Sequence, residues 1–327
     1  VPSQPTLTDI KDKSGKIVPA IYVLTKTGNA FVLDRRTGAA IVPITEKPVP
    51  QTVKRGPQTK GERYSATQPF SDFDLAPKEK LTDKQMWGAT MFDQLMCRVS
   101  FHKLNYDGIY TPPSENGTLV FPGNLGVFEW GGMSVNPDRQ IAVMNPIGLP
   151  FVSRLIPADP NRPKTAKGAG TEAGVQPMYG VPYGVEISAF LSPFGLPCKQ
   201  PAWGFVAGVV LNTHVVAWKR RFGTIGDSLP GIQLPPFKMG VPMLGGSIST
   251  AGNVMFVGGT QDNYIRAINV TNGDELWKGR LPAGGQATPM TYEANGKQYV
   301  VIMAGGHGSF GTKMGDALVA YALPDAK

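Results

Sequence analysis

The sequence predicts an all-β fold built from many short strands, and three observations lead to this prediction. The 327 residues include 40 Gly and 30 Pro but only 17% charged residues, a mixture typical of strands joined by tight turns. Apolar stretches of strand length recur along the chain between turns that contain Gly, Asn or Asp. The hydrophobic content of 41% is enough for a large core, and β architectures of this length often form one domain.

The strand candidates extend over the whole chain, and each combines apolar or β-branched residues with turn signals at its ends. Between two of them, Asn295-Gly296 is a strong signal for a two-residue hairpin turn. The best helix candidate covers residues 83–99, with Asp83 as its cap. The predicted strands are residues 17–24, 118–121, 132–135, 141–145, 253–257, 264–269, 290–293, 299–303 and 318–322.

A repeat becomes visible when turns and tryptophans are aligned. Segments 32–43, 208–219 and 267–278 each contain a strand end, a polar turn and a second strand. The residues at the same place in these segments are Val42, Trp218 and Trp277. A single small sheet cannot bury both of its faces, and a large indole at a fixed place can wedge between neighbouring sheets. The sequence therefore predicts a β-propeller in which these tryptophans serve the structure and not the chemistry.

Two long insertions interrupt the repeat. Residues 46–85 are polar and Pro-rich, and residues 154–202 are rich in Gly and Pro with little periodicity. Loops of this length inside a compact domain are usually functional or mobile. We expect both insertions to lie over one end of the propeller, where substrates enter or partners dock, within one partial propeller domain over residues 1–327.

The charge and the cysteines limit the functional classes. The formal net charge of +8 is spread along the chain, and no block interleaves basic and aromatic residues as a nucleic-acid surface would. No run of about 18 apolar residues occurs, so this stretch is not expected to span a membrane.

Cys97 and Cys198 can pair in an oxidising compartment or remain two buried thiols. Because the first residue is Val1, we expect the chain to be a piece of a longer protein.

Lys26 and His307 are the first candidate site residues. His307, one of three histidines, follows an apolar run and stands among glycines, so it can act as a base, a hydrogen-bond partner or a gate. The alternative is a surface imidazole in a hairpin loop. Lys26 lies in a turn between two predicted strands, where its ammonium either polarises a carbonyl oxygen or simply solvates the turn.

Three further residues have both a structural and a functional interpretation. Asn145 ends a predicted strand, where its amide can bind a carboxylate or simply form a turn before proline. Glu129 and Trp130 place a carboxylate and an indole beside flexible glycines, although such an indole more often belongs to a core. Asp262 and Asp316 are interpreted as turn formers. Phosphate-binding, serine-nucleophile and zinc-protease motifs are absent from the sequence.

Long sequence segments, distributed over essentially the whole chain, resemble those of a known protein family. They are TKTGNAFVLDRRTG (25–38), MWGATMFDQLMCR (86–98), TPPSENGTLVFPGNLGVFEWGG (111–132), QPMYGVPYG (176–184), LSPFGLPCKQPAWG (191–204) and LPAGGQATPMTYEANGKQYVVIMAGGHGSFGTKMGD (281–316). Together they resemble the quinoprotein alcohol dehydrogenase family, in particular its membrane-bound glucose dehydrogenases that depend on pyrroloquinoline quinone (PQQ). The resemblance implies an eight-bladed propeller, of which this chain carries roughly the last four blades.

The resemblance also implies a reaction and roles for site residues. PQQ, beside Ca²⁺ or Mg²⁺, would oxidise the C1 hydroxyl of glucose to the lactone by hydride transfer. Lys26 would contact the quinone oxygens, Asn145 would bind the cofactor, and His307 with Gly308 would lie over the quinone. Gly223 is implied as a lesser contact. Glu129 and Trp130 are added as cofactor-binding candidates. Lys26, Asn145 and His307 are expected around one axial cavity.

The resemblance also implies specific features that lie outside this chain. It implies a general-base aspartate just upstream of Val1, metal ligands mostly upstream, an N-terminal half of the same propeller, and a membrane segment that passes electrons to ubiquinone. The catalytic part would face the periplasm. We therefore expect the fragment to be inactive alone. A quinate, shikimate or polyol dehydrogenase is the alternative enzyme, and a non-catalytic propeller scaffold is the alternative of another class.

Overall fold

The structure, a computed structural model, describes residues 1–12, 14–56, 59, 63–158, 174–178, 180–228 and 234–324. Within these ranges the chain forms twenty β-strands, one α-helix and two short 3₁₀ turns, which confirms the predicted all-β class. The strands belong to six antiparallel arrangements: two three-stranded sheets, three four-stranded sheets and one two-stranded ribbon.

The elements are numbered in chain order. They are β1 (Thr6–Lys11), β2 (Ile17–Leu24), β3 (Ala30–Asp34), β4 (Ile44–Pro48), β5 (Thr67–Ser71), α1 (Met91–Lys103), β6 (Thr118–Val120), β7 (Met133–Asn136), β8 (Ile141–Met144), β9 (Phe151–Pro157), β10 (Gly174–Pro177), β11 (Tyr183–Ala189), β12 (Phe205–Val210), β13 (Val216–Arg221), β14 (Ser247–Ser249), β15 (Val254–Val257), β16 (Tyr264–Asn269), β17 (Glu275–Arg280), β18 (Met290–Ala294), β19 (Lys297–Ala304) and β20 (Ala317–Ala322).

Four sheets follow one another along the chain as meanders, and the second of them is interrupted between β8 and β12 by the inserted strands β9 to β11. The first is β1-β2-β3, the second β7-β8-β12-β13, the third β14-β15-β16-β17 and the fourth β18-β19-β20. Each predicted strand is present in the structure, with its ends shifted by one or two residues where the two differ. The predicted hairpin at Asn295-Gly296 is confirmed, because both residues adopt the left-handed φ angles, 53° and 72°, that such a turn requires.

Consecutive sheets pack face to face through separate apolar clusters. Between the first and second sheets, the Tyr22 hydroxyl donates to the carbonyl of Leu211 at 3.2 Å and lies 3.1 Å from the His214 ring. Val42, the first member of the repeat, is buried in the same cluster. The third and fourth sheets share a cluster that contains Ile265 and Ile302. This serial stacking of meanders is the arrangement of propeller blades.

The two tryptophans of the repeat occupy equivalent positions. Trp218 on β13 stands opposite Gly208 on β12, and Trp277 on β17 stands opposite Ala267 on β16, with a register shift after each pair. Trp218 is 7% exposed and donates its indole N–H at 2.8 Å to the carbonyl of Val270, in the turn between β16 and β17 of the third sheet. Its ring therefore joins the second and third sheets, as the repeat predicts.

The insertions are more ordered than predicted. Segment 154–202 was expected to have little periodicity, but its described residues include β10, β11 and most of β9, which form a sheet of order β10-β11-β9-β6. This expectation was wrong because the strands pair with a distant segment, as β6 with β9, and local Gly and Pro hide the alternation. In segment 46–85, β5 pairs with β4. Residues 57, 58, 60–62, 159–173 and 179 lie outside the described ranges.

The helix begins later than predicted. Asp83 does not cap it, because residues 83–85 form only a 3₁₀ turn and the Asp83 carboxylate binds the His102 ring at 2.8 Å. The cap of α1 is Thr90, whose hydroxyl oxygen accepts the backbone N–H of Asp93 at 3.1 Å. Gly88 lies between the 3₁₀ turn and α1, and a Cβ atom there would clash with the backbone nitrogen of Gln94. This close approach requires a chain reversal before the helix can start.

A disulfide fixes α1 to the inserted sheet. Cys97 of α1 is bonded to Cys198, which lies in the segment after β11. Lys199 follows directly, and its ammonium donates to the carbonyls of Gln200 and Ala202 at 3.0 and 3.2 Å. Burial, with a smaller contribution from the charge of Lys219, lowers the pKa of Lys199 to about 8.

Replacing Trp218 by Phe should destabilise the fold more than the same change at Trp277. Trp218→Phe removes the indole N–H that satisfies the Val270 carbonyl, at a cost of about 1–3 kcal/mol in the free energy of unfolding. Trp277 is 40% exposed and meets Tyr321 edge to face, so Trp277→Phe is the matched control with a smaller loss. Denaturant unfolding of both variants measures the difference. Equal losses would contradict the bridging role of Trp218.

Lys199 should make stability rise with pH in the alkaline range. Its folded pKa of about 8 lies below the ordinary value of 10.5, so the unfolded chain binds more protons between these values and folding is favoured as the pH increases. The change is at most about 3 kcal/mol. In Lys199→Met this part of the pH dependence should disappear. Unfolding at pH 7, 8, 9 and 10 compares the two proteins, and parallel curves would contradict the burial of this cation.

Candidate functional site

Lys26 lies in the turn between β2 and β3 and is paired with a buried carboxylate. Its Nζ is 2.5 Å from Oε1 of Glu129 and donates to the carbonyl of Asn124 at 2.8 Å. Glu129 is only 7% exposed, and its second oxygen accepts the backbone N–H of Trp130 at 2.8 Å. An ammonium has three N–H donors, so these two contacts leave one for a ligand.

The loop that carries Glu129 is packed directly on the backbone of Lys26. Val127 donates its N–H to the Lys26 carbonyl at 2.8 Å. Gly126 has a φ angle of 74°, and a Cβ atom there would lie 2.6 Å from the Lys26 Cα. Only glycine fits this approach. No local pattern in the sequence links positions 26 and 129, so this ion pair could not be found from periodicity.

Asn145 follows β8 and faces the turn that leads into β14. Its amide donates to the carbonyl of Gly245 at 3.2 Å. Gly131 approaches the same turn so closely that a Cβ atom would lie 2.6 Å from the Gly245 oxygen. Trp130, expected more often in a core, is 41% exposed beside this contact. The core interpretation of Trp130 was therefore wrong, because the indole follows a loop and not a strand.

His307 is held by a chain of hydrogen bonds that the sequence did not reveal. Its backbone N–H donates to the Thr312 hydroxyl at 2.9 Å, which donates to Oε1 of Gln286 at 2.9 Å. The Gln286 amide donates to the carbonyl of Thr260 at 3.0 Å. The Nδ1 atom of His307 is buried, and none of the described residues bonds to it. Gly308, next in the chain, is exposed.

Asp262 lies in a turn, as expected, and its buried side chain also ends this series of hydrogen bonds by accepting the Thr260 hydroxyl. The Asp262 and Arg266 side chains are 0% and 3% exposed and are joined by two contacts of 2.5 and 3.0 Å. Burial alone raises the pKa of the Asp262 carboxyl, but hydrogen bonds from Arg266, Thr260 and the N–H of Thr224 outweigh it and hold the pKa below its usual value. Thr224 follows Gly223, which has a φ angle of 78° and packs on Thr260.

Close backbone contacts link the loops that carry the candidate residues. A Cβ atom on Gly245 would lie 2.6 Å from the Gln286 carbonyl, so the partner of Asn145 touches the residue that supports the His307 loop. A cavity of about 240 Å³ lies beside Lys26, but its lining includes neither Asn145 nor His307. The expectation that Lys26, Asn145 and His307 surround one axial cavity stays a prediction.

The described residues contain neither a metal-binding cluster nor a membrane-spanning helix. Within the described ranges, no group of three or more His, Cys, Asp or Glu side chains is arranged to hold a metal ion. In the same part of the chain, no helix has the length and apolar character needed to cross a membrane.

Residues 1–300 match the family described as PQQ glucose/ethanol/alcohol dehydrogenase, beta-propeller domain. Quinoprotein glucose dehydrogenase A of Acinetobacter calcoaceticus is 85% identical over 100% of this chain and 41% of its own length. Quinoprotein glucose dehydrogenase of Escherichia coli K12 is 63% identical over 99% of this chain, again 41% of that protein. The chain thus spans about two fifths of the curated relatives it matches.

A solved structure shows the same fold at low identity. The quinohemoprotein alcohol dehydrogenase ADHIIG from Pseudomonas putida HK5 superposes with a TM-score of 0.51 and 22% identity. The match covers 92% of this chain and 34% of that one. At this identity the similarity supports the propeller architecture, and nothing finer.

Removing the Thr312 hydroxyl should loosen the His307 loop. Thr312→Val leaves the His307 N–H and the Gln286 amide oxygen without their partner, whereas Thr312→Ser keeps the hydroxyl and is the matched control. We expect a loss of about 1–3 kcal/mol in the free energy of unfolding for the Val variant. Hydrogen–deuterium exchange of residues 305–316 should accelerate in that variant alone. Unchanged exchange in Thr312→Val would contradict the proposed support.

Proposed function

The chain belongs to the β-propeller family of PQQ-dependent glucose, ethanol and alcohol dehydrogenases, and on this premise we propose that it is part of the catalytic propeller of a PQQ-dependent glucose dehydrogenase. The proposed reaction oxidises the C1 hydroxyl of glucose to gluconolactone. The 85% identity to a quinoprotein glucose dehydrogenase supports this substrate. The observation that carries the proposal is the Lys26 cation, which a buried Glu129 holds in place with one N–H donor to spare.

The groups available at the site fit the chemistry of this cofactor. PQQ is a polyanion with two quinone oxygens, and it requires cations and N–H donors. Lys26 supplies a positive charge, Asn145 supplies an amide, and the buried Nδ1 atom of His307 has hydrogen-bonding capacity that none of the described residues uses. Buried polar atoms are normally paired, so an unpaired one needs an explanation such as a ligand. These residues would hold the cofactor.

In the proposed mechanism the bound PQQ supplies the two-electron acceptor. Lys26 stabilises the negative charge that develops on an oxygen beside it, which is effective because Glu129 fixes the ammonium in advance. A fixed donor needs no reorganisation during the reaction. Asn145 orients the planar ligand through its amide, and Gly223 allows a close approach of backbone at the edge of the site. Glu129 and Trp130 act indirectly, by fixing the positions of Lys26 and of the loop that carries Glu129.

His307 with Gly308 has a separate role in the proposal. The Thr312 and Gln286 bonds fix the backbone of His307 and leave its ring nitrogen Nδ1 for a ligand or a substrate hydroxyl. An imidazole nitrogen can accept a hydrogen bond from such a group or donate one to it. The general-base aspartate implied by the family resemblance is proposed to come from outside these residues.

The whole protein would need partners beyond this chain. We propose the N-terminal half of the same propeller, a Ca²⁺ or Mg²⁺ ion held mostly by residues of that half, and ubiquinone as the electron acceptor through a membrane segment. The proposed location is the periplasmic face of the bacterial inner membrane. The Cys97–Cys198 disulfide supports an oxidising compartment.

Neutralising the Lys26–Glu129 pair should abolish most turnover. In the full-length protein reconstituted with PQQ and Ca²⁺ or Mg²⁺, Lys26→Met/Glu129→Gln replaces both charges together, so no buried carboxylate is left unpaired. We expect kcat for dye-linked glucose oxidation to fall by about 10²–10³, as for the loss of an electrostatic donor. Lys16→Met, at an exposed lysine, is the matched control.

The same assay separates the alternatives. Turnover of the double variant close to that of the unchanged protein would refute the role of Lys26. Faster oxidation of quinate or glycerol than of glucose by the unchanged protein would replace glucose as the substrate. Failure of the full-length protein to bind PQQ, measured by fluorescence titration, would favour a non-catalytic scaffold.

A further inference from the structure

The cavity beside Lys26 is small and carries almost no charge. Its volume is about 240 Å³, and residues 108–111 and 119–124 form most of its wall. Among the described residues that line it, Lys26 alone is charged. Sites for drug-sized ligands are usually about 300–1,000 Å³. The size and the single charge suit a small neutral molecule better than a cofactor that carries three carboxylates.

Tyr110 in this wall has an unusual backbone conformation. Its φ angle is 62°, in the left-handed region that bulky residues other than glycine rarely adopt. Residues in this conformation are strained and persist where surrounding structure holds them, often at functional sites. Nothing in the sequence of the loop, Gly108 to Thr111, predicts this geometry.

The surrounding contacts hold Tyr110 in place. The Thr111 hydroxyl donates to the Gly108 carbonyl at 2.6 Å and accepts the N–H of Asp107 at 2.8 Å, which closes the loop on both sides of Tyr110. Asp107 is in turn bound by Lys80 at 2.8 Å. The Tyr110 ring meets Phe70 edge to face, with ring centroids 5.9 Å apart. The loop is therefore fixed from three sides.

We propose that this cavity binds the ring of a neutral polyhydroxylated substrate, and that Tyr110 is a substrate-contacting residue that determines specificity. An aromatic ring offers an apolar face to the C–H groups of a sugar, and the hydroxyls of Tyr110 and Thr111 supply polar contacts, as small-molecule sites require. The Lys26 ammonium at the cavity wall connects it to the reacting centre. The inference rests on the proposed function, because it assigns the substrate to one side of Lys26.

The test uses two substitutions at position 110 in the full-length protein with PQQ and metal. Tyr110→Asn removes the ring but suits the left-handed backbone, since Asn tolerates this region. Tyr110→Phe keeps the ring and removes only the hydroxyl. We expect KM for glucose to rise about tenfold or more in the Asn variant, and to rise less in the Phe variant. The dissociation constant of PQQ should be unchanged in both.

The possible results distinguish a substrate site from a cofactor site. An unchanged KM in Tyr110→Asn overturns the proposal, and so does a weaker PQQ affinity that parallels the KM change, since the cavity would then belong to the cofactor. If the Asn variant does not fold by circular dichroism, Tyr110→Gly replaces it, because glycine adopts this φ angle without strain. Failure of the unchanged protein to oxidise glucose refutes the proposed function instead, and the two failures are therefore distinguishable.

Discussion

The sheets of this protein can stack as they do because backbone touches backbone at one edge and tryptophan fills the gap at the other. At the inner edge, Ser134 of β7 hydrogen-bonds to Ser247 of β14 at 2.8 Å. Beside it, Gly131 and Gly246 are so close that a Cβ atom on Gly246 would lie 2.6 Å from the Gly131 oxygen. At the outer edge, Trp218 spans the wider gap. Small residues inside and a large ring outside give neighbouring sheets the wedge shape that a propeller needs.

The candidate site is a consequence of this narrow edge. The loops that leave this inner edge pack directly against one another. Glu129, Asn145 and the Gln286 backbone are therefore brought close together around a few glycines. Polar groups brought together in this way must be paired, and most of them are. The buried Nδ1 atom of His307 has no partner among the described residues, and a ligand would satisfy it.

The sequence predicted features that depend on neighbouring residues and missed features that depend on contacts between remote segments. The strands, the Asn295-Gly296 turn and the equivalence of Trp218 and Trp277 all follow from short-range patterns. The inserted sheet and the Lys26–Glu129 pair depend on contacts between remote segments, for which periodicity has no signal. The start of α1 was misplaced because Asp83 is a good cap by type, whereas the tight approach at Gly88 delays the helix to Thr90. Family resemblance named Lys26, Asn145 and His307 but not their supports.

The Cys97–Cys198 bridge has a consequence for the order of assembly. It joins residues that are 101 positions apart in the sequence. The enclosed segment contains β6 to β11, which include two strands of the second sheet, β7 and β8. Closing so long a loop in a disordered chain is opposed by an entropy equivalent to about 4.7 kcal/mol. The two thiols therefore meet efficiently only after β7 and β8 have found their partners and α1 has docked. Oxidation then stabilises an arrangement that is already formed.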